Sequence, residues 1–177
     1  MVEYMDVVDD LDEVMGKVSQ EEIYEKKLTH RIVHIMLINP KTKEVYFQKR
    51  SEKKKFLPGY YCTSAGGHVQ SGETYEEAAR RELREELGLS VNVEKVAELQ
   101  FITNGHKRFI ELFLAFAEGG LNFTDGEVES GEFLNMEDAK FLINQDEKIH
   151  PQLTLCFNWL YENKNNTEKS IVNSPSK

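Results

Sequence analysis

Apolar positions in this chain fall into short runs with strand-like spacing, interrupted by one longer segment at helical spacing. Tyr4–Val8 and Val14–Val18 flank the turn-like Asp9-Asp10-Leu11-Asp12, which predicts a β-hairpin. Ser19 with Glu22 three residues later has the form of a capping box and predicts a short helix to about Lys27. Arg31–Ile38 is a nearly continuous apolar run ended by Asn39-Pro40, as a buried strand would be, and Lys43–Arg50 reads as its antiparallel partner. Residues 51–72 lack a helical period and carry Pro58-Gly59, Gly66-Gly67 and Ser71-Gly72, which predicts loop with one short strand near Tyr60–Thr63. Thr74–Leu87 is strongly helical and is stopped by Gly88. Strands are expected over Val93–Ile102 and Phe109–Phe116, an acidic loop over Asn122–Gly131 and a short strand at Glu132–Leu134. Helices follow at Glu137–Asn144 and Pro151–Asn163. The whole reads as one α/β domain over residues 1–163, opened by a hairpin and short helix within residues 1–28. Residues 164–177 form a polar tail expected to be disordered.

Composition narrows the function. The 177 residues carry 22 Lys+Arg against 31 Asp+Glu, a formal charge of −9, so a nucleic-acid polymer is not the expected partner. A small phosphorylated ligand stays compatible, because a bound divalent cation reverses the local field. Cys62 and Cys156 stand far apart and make neither a disulfide framework nor a zinc pattern. Met1–Asp6 lacks the basic and apolar regions of a signal peptide, and Ile32–Ile38 is too short to span a bilayer. A cytoplasmic protein without membrane contact is therefore expected.

The helix at 74–87 carries the informative chemistry. Glu82, Glu85 and Glu86 fall within one arc of roughly 100° on an α-helix. Their mutual contacts are like-charged, and they occupy the last turns, where the helix dipole disfavours negative charge. The preceding turn of the same stripe shows Ala78 and Ala79 rather than lysines, so nothing nearby on the helix is expected to neutralise them. A hard divalent cation such as Mg²⁺ resolves both conflicts by taking carboxylate oxygens. Gly66-Gly67 in the loop before the helix permits close backbone approach.

From Gly67, five residues lead to Glu73, then seven to Arg81-Glu82-Leu83, then Arg84, Glu85-Glu86, Leu87 and Gly88-Leu89. This resembles the Nudix box, G-x5-E-x7-R-E-U-x-E-E-x-G-U with U apolar, at every specified position across 23 residues. The resemblance implies a Nudix-type α/β/α sandwich with a mixed, partly antiparallel sheet, and Mg²⁺- or Mn²⁺-dependent attack on a small-molecule diphosphate. It further implies metal ligation by Glu82, Glu85, Glu86 and the Gly67 carbonyl, and a Glu73–Arg81 ion pair that shapes the box.

Further segments resemble the subgroup near the isopentenyl-diphosphate isomerases: Asp6-Val7-Val8-Asp9, Leu28-Thr29-His30-Arg31, Gln48-Lys49-Arg50-Ser51, Lys53-Lys54-Lys55, Pro58-Gly59 and Gly67-His68-Val69. Arg50 and Lys55 match residues that hold the diphosphate there, and His30 and His68 match metal ligands. Isomerase chemistry is disfavoured, because Gly66 stands where those enzymes carry a cysteine and Phe109 replaces the first acid of a later Glu-x-Glu pair. Glu111 matches the second acid. A hydrolase is the expected function, with an isomerase or a non-catalytic binding module as alternatives. The family's loop acid, a general base, matches Glu127 within Asp125-Gly126-Glu127-Val128-Glu129, and Glu82 is the other candidate base.

Overall fold

The computed structural model describes residues 2–123 and 126–164. The expected tail beyond Lys164, and Asp125 in the acidic loop, lie outside the described residues. Strands β1 (Tyr4–Val8) and β2 (Val14–Ser19) form the predicted hairpin. Helix α1 (Gln20–Lys26) follows, with Ser19 Oγ accepting from the Glu22 amide at 3.3 Å. The reciprocal half of the expected capping box is absent here, because the Glu22 carboxylate pairs with Lys26 instead.

The central strand β3 (His30–Ile38) runs parallel to β8 (His106–Phe116) over its whole length, from His30↔Arg108 to Ile38↔Phe116. β7 (Val93–Thr103) pairs antiparallel with β8 across a two-residue turn, Asn104-Gly105, both at positive φ as a tight hairpin requires. The expected β3 partner, β4 (Val45–Arg50), meets β3 at one register position, Ile38↔Val45. Its long partner is β9 (Val128–Leu134), and β5 (Tyr61–Cys62) pairs with its far end. The acidic loop is therefore shorter than expected, ending where β9 begins at Val128. The remaining edge of β3 is taken by β6 (Ala65–His68), antiparallel from Ile32↔His68 to Ile35↔Ala65. The Gly66-Gly67 segment is thus strand rather than loop.

Three helices complete the layers: α2 (Tyr75–Leu87), α3 (Met136–Gln145) and α4 (Pro151–Glu162). The apolar run of β3 conceals a strand period of two. Val33, Ile35 and Leu37 pack with Ala78, Ala79, Leu83 and Leu87 of α2. Met36 and Ile38 pack on the other face with Leu153, Cys156, Phe157 and Leu160 of α4. The α4 cluster also holds Leu112 and Leu114 of β8, and the α2 cluster holds Phe113 and Ala115. The result is an α/β/α sandwich with a mixed sheet. Among the described residues no helix is long and apolar enough to cross a membrane.

Candidate active site

Helix α2 is fixed at both ends before any acid on it matters. Thr74 and Glu77 form the full reciprocal capping box, and Gly88 closes the helix at φ 68°, a left-handed conformation that favours glycine. The buried stripe Ala78, Ala79, Leu83 and Leu87 faces the sheet. The helical period then carries Glu82 and Glu86 to the edge of that contact, over β6 and β4.

Glu86 is 3% exposed. Its Oε2 accepts from Gln48 Nε2 at 2.9 Å and from the Gly66 amide at 3.2 Å. Burial holds its proton affinity well above the carboxylate range, and the Glu82 charge adds to this. The Glu82 side chain is 12% exposed, and burial pushes its pKa up to about 7 despite the Arg81 charge beside it. Gly67 is required here for space: a Cβ on it would lie 2.3 Å from Glu82 Oε1. A Cβ on Gly66 would lie 2.7 Å from both His34 Nδ1 and the Val33 carbonyl. The two glycines therefore let β6 pair with β3 directly beneath the helix acids.

Arg81 organises the box and corrects the expectation that nothing on the helix offsets its charge. Its Nε and Nη2 donate to the two Glu73 oxygens at 2.8 and 2.9 Å, and Nη2 also donates to the His68 carbonyl at 2.9 Å. Nη1 spans Glu82 Oε1 at 2.6 Å and Glu85 Oε2 at 3.2 Å. Glu85 is the outermost acid, its side chain 50% exposed. The expected Glu73–Arg81 pair is present. Among the described residues no three His, Cys, Asp or Glu side chains stand gathered as a ready metal cage. Arg81 occupies the space between two of the acids, so a cation taking Glu82 and Glu85 together must displace Nη1. The donor set nevertheless suits a hard divalent ion: carboxylate oxygens of Glu82, Glu85 and Glu86 beside a glycine cradle, where a cation would offset the buried charge of Glu82 and Glu86.

The basic side chains face this cluster unequally. Lys54 is half-buried and pairs with Glu127 at 2.5 Å, whereas Lys55 lies on the exposed side of its turn. Arg50 donates to the Phe56 carbonyl at 3.3 Å. The Glu127 carbonyl accepts from the Ser51 amide at 2.8 Å, which ties the start of β9 to the end of β4. The charge of Glu127 reaches Glu86, while Glu129, two residues on, is exposed.

Two features escaped the sequence reading. Glu3, just before β1, has its charge opposed by Arg81 and its carboxyl held by the Gln70 side chain, and it acts on Glu82. Its only sequence signal is an acidic N-terminus. The second is that Tyr24, His106 and Arg108 gather around His30 and His68, the two histidines that match the isomerases' metal ligands. His30 and His68 have ring centroids 5.5 Å apart. His30 Nδ1 lies 3.0 Å from the Leu28 carbonyl, and His68 is held between Gln20 and Tyr24 at 3.2 and 2.7 Å. Cys62 is buried, and burial pushes its thiol up to about 12, so it is protonated at neutral pH.

Comparison with known proteins agrees with this geometry. The model of the NUDIX domain family matches residues 28–155. The uncharacterized Nudix hydrolase all7351 of Nostoc sp. (strain PCC 7120) is 37% identical over 123 residues, 69% of this chain and 72% of that protein. The uncharacterized Nudix hydrolase YfcD of Escherichia coli (strain K12) is 30% identical over 165 residues, 93% of this chain and 90% of its own. The crystal structure of DR0079 from Deinococcus radiodurans superposes with a TM-score of 0.79 at 29% identity, covering 90% of this chain and 99% of that one.

Proposed function

From the premise that this chain belongs to the NUDIX domain family and is a Nudix hydrolase, we propose that it cleaves the diphosphate linkage of a small phosphorylated metabolite with Mg²⁺. Nudix hydrolases generally use divalent metals. The observation that carries the reading is the buried pair Glu82 and Glu86, both raised in pKa and packed against the Gly66-Gly67 strand. Glu82, Glu85, Glu86 and the Gly67 carbonyl would hold the ion. When bound, it would polarise the attacked diphosphate and neutralise charge on the leaving phosphate.

The protein's own groups do the rest. Gln48 and the Gly66 amide fix Glu86 Oε2, which leaves Oε1 to face the ligand. Arg81, clamped by Glu73 and the His68 carbonyl, holds Glu82 in position until its Nη1 yields that place to the ion. Arg50 and Lys55 supply positive charge to the substrate phosphates, and the half-buried Lys54 joins them when it exchanges Glu127 for substrate. Release from Lys54 frees the Glu127 carboxylate to take a proton from the attacking water, with Glu82 as the second candidate base. Within the family we place the chain near the isopentenyl-diphosphate isomerase-like members, as a hydrolase. Gly66 supplies an amide to Glu86 where the isomerases carry a thiol, and Cys62 stays protonated.

The test is a panel of nucleoside di- and triphosphates, nucleotide sugars, dinucleotides and isoprenoid diphosphates with Mg²⁺ in oxygen-18 water. One phosphate product should carry label, and Glu86→Gln should lower turnover at least ~100-fold, as loss of a group acting on transition-state charge does. Full turnover in that variant or in excess chelator would refute the reading.

A further inference from the structure

The face of the sheet that α4 covers at one end is polar at the other. Even-numbered positions of β3 and β8 share that face: Met36, Ile38, Leu112 and Leu114 pack under α4. Toward the start of both strands the same face presents His34, His30, His106 and Arg108. Arg108 is 9% exposed. Its Nη1 and Nη2 donate to the carbonyl and Nδ1 of His106 at 3.2 and 3.1 Å, and its guanidinium lies between the rings of Tyr24 and Phe101, 6.0 and 5.9 Å from their centroids. Among the described residues no carboxylate pairs with it.

By contrast, the partly buried Arg31 and Arg81 have carboxylate partners in Asp12 and Glu73 at 2.8 Å each. A buried guanidinium without a counter-charge is costly, and the neighbours do not supply one. The histidines beside it cannot supply one, since an imidazole is either neutral or cationic. His30 Nε2 is fully buried and unpartnered. Arg108 also donates to the Tyr24 hydroxyl, which lies 2.7 Å from His68 Nε2. Tyr24 is 45% exposed, so this end of the pair opens outward.

The location ties it to catalysis. His68 follows Gly67, whose Cα faces Glu82 on one side of β6, while the His68 side chain meets Tyr24 on the other. The charge of Arg50 also reaches Tyr24.

We propose that Arg108 and the Tyr24 hydroxyl form an oxyanion subsite on this face. It takes a phosphate or carboxylate group of the substrate that lies outside the scissile diphosphate. The assignment of that anion to a substrate rests on the hydrolase reading; the subsite itself does not.

The test therefore uses inorganic phosphate and chelator-treated full-length protein, with no turnover involved. Calorimetric titration measures affinity, and nitrogen-15 spectra of arginine Nε, assigned with Arg108→Lys, report where the anion sits. Phosphate should shift the Arg108 resonance in wild type and in Arg50→Met. Arg108→Met should weaken phosphate binding about tenfold or more, the effect of losing one charge-assisted hydrogen bond. Tyr24→Phe changes a surface helix and should weaken it by a smaller factor, which keeps the proposal testable if Arg108→Met does not fold. Absence of any Arg108 shift, or phosphate binding lost in Arg50→Met and unchanged in Tyr24→Phe, overturns the subsite. Phosphate binding at Arg108 with no hydrolysis of any diphosphate would leave the subsite standing and refute the hydrolase reading instead.

Discussion

Replacing Glu82 with glutamine should make the metal-free protein more stable, although it removes an ion pair. The reason is the carboxyl's cost in place. Burial raises its pKa from 4.5 to about 7 even with Arg81 Nη1 at 2.6 Å. Between those pH values the folded protein retains a proton that the unfolded chain releases, so wild-type stability falls as pH rises through that window. The gap from 4.5 to about 7 corresponds to about 3 kcal/mol, fully lost above pH 7. Glutamine is permanently neutral and escapes it. Arg81 keeps both oxygens of Glu73 and one of Glu85 in the variant. Thermal melts in chelator should show Glu82→Gln and wild type close together near pH 4. The gap should open to about 6–12 °C at pH 8, at about 2–4 °C per kcal/mol for a domain of this size. Added Mg²⁺ should stabilise wild type and do little for the variant, narrowing the gap. Parallel pH profiles, or a variant less stable than wild type at pH 8, would refute the account of Glu82 as a strained buried carboxyl.

Gly67→Ala places a Cβ 2.3 Å from Glu82 Oε1 and should displace that carboxylate, costing about 1–3 kcal/mol by overpacking and most of the turnover. Denaturant titration beside initial rates measures both, and wild-type turnover would show that the close approach is dispensable. Glu127→Gln should lower turnover ~100-fold, within the range of a lost general base, with metal affinity little changed, while Glu129→Gln on the exposed side stays near wild type. Equal pH–rate profiles for both variants would move the base into the helix.

Much of this was legible in sequence because it depended on local rules. Helix α2 declared itself through Thr74, Glu77 and Gly88, and its acids through a like-charged spacing in the last turns. The β6 strand was hidden, since Ala-Gly-Gly-His offers no alternating pattern, and its strand character comes from pairing with β3. The antiparallel β3–β4 pairing was legible, but the longer β4–β9 pairing was not, because short antiparallel strands show their faces but not their neighbours. Lys54 and Lys55 could not be told apart, because the direction of each side chain in that turn depends on where β9 docks. Arg108 looked like one polar member of an alternating strand. Its setting appears only in the folded sheet, where among the described residues no carboxylate pairs with it.

The parallel pairing of β3 and β8 also shapes how the chain reaches its native state. His30 and Arg108 are partners 78 positions apart, and the register holds that separation through Ile38↔Phe116. Closing a loop of that length costs on the order of 4 kcal/mol in chain entropy before a contact rewards it. The β7–β8 hairpin, joined by Asn104-Gly105, has no such barrier. It would form in microseconds and wait for β3, which is made earlier but stays unpaired on its β8 side until residue 116 exists. During synthesis the strand Ile32–Ile38 is therefore an exposed apolar edge for the time taken to add some 80 residues, several seconds at ribosomal rates. The folding of this enzyme should be limited by that one long-range closure, in the slow range of mixed α/β domains.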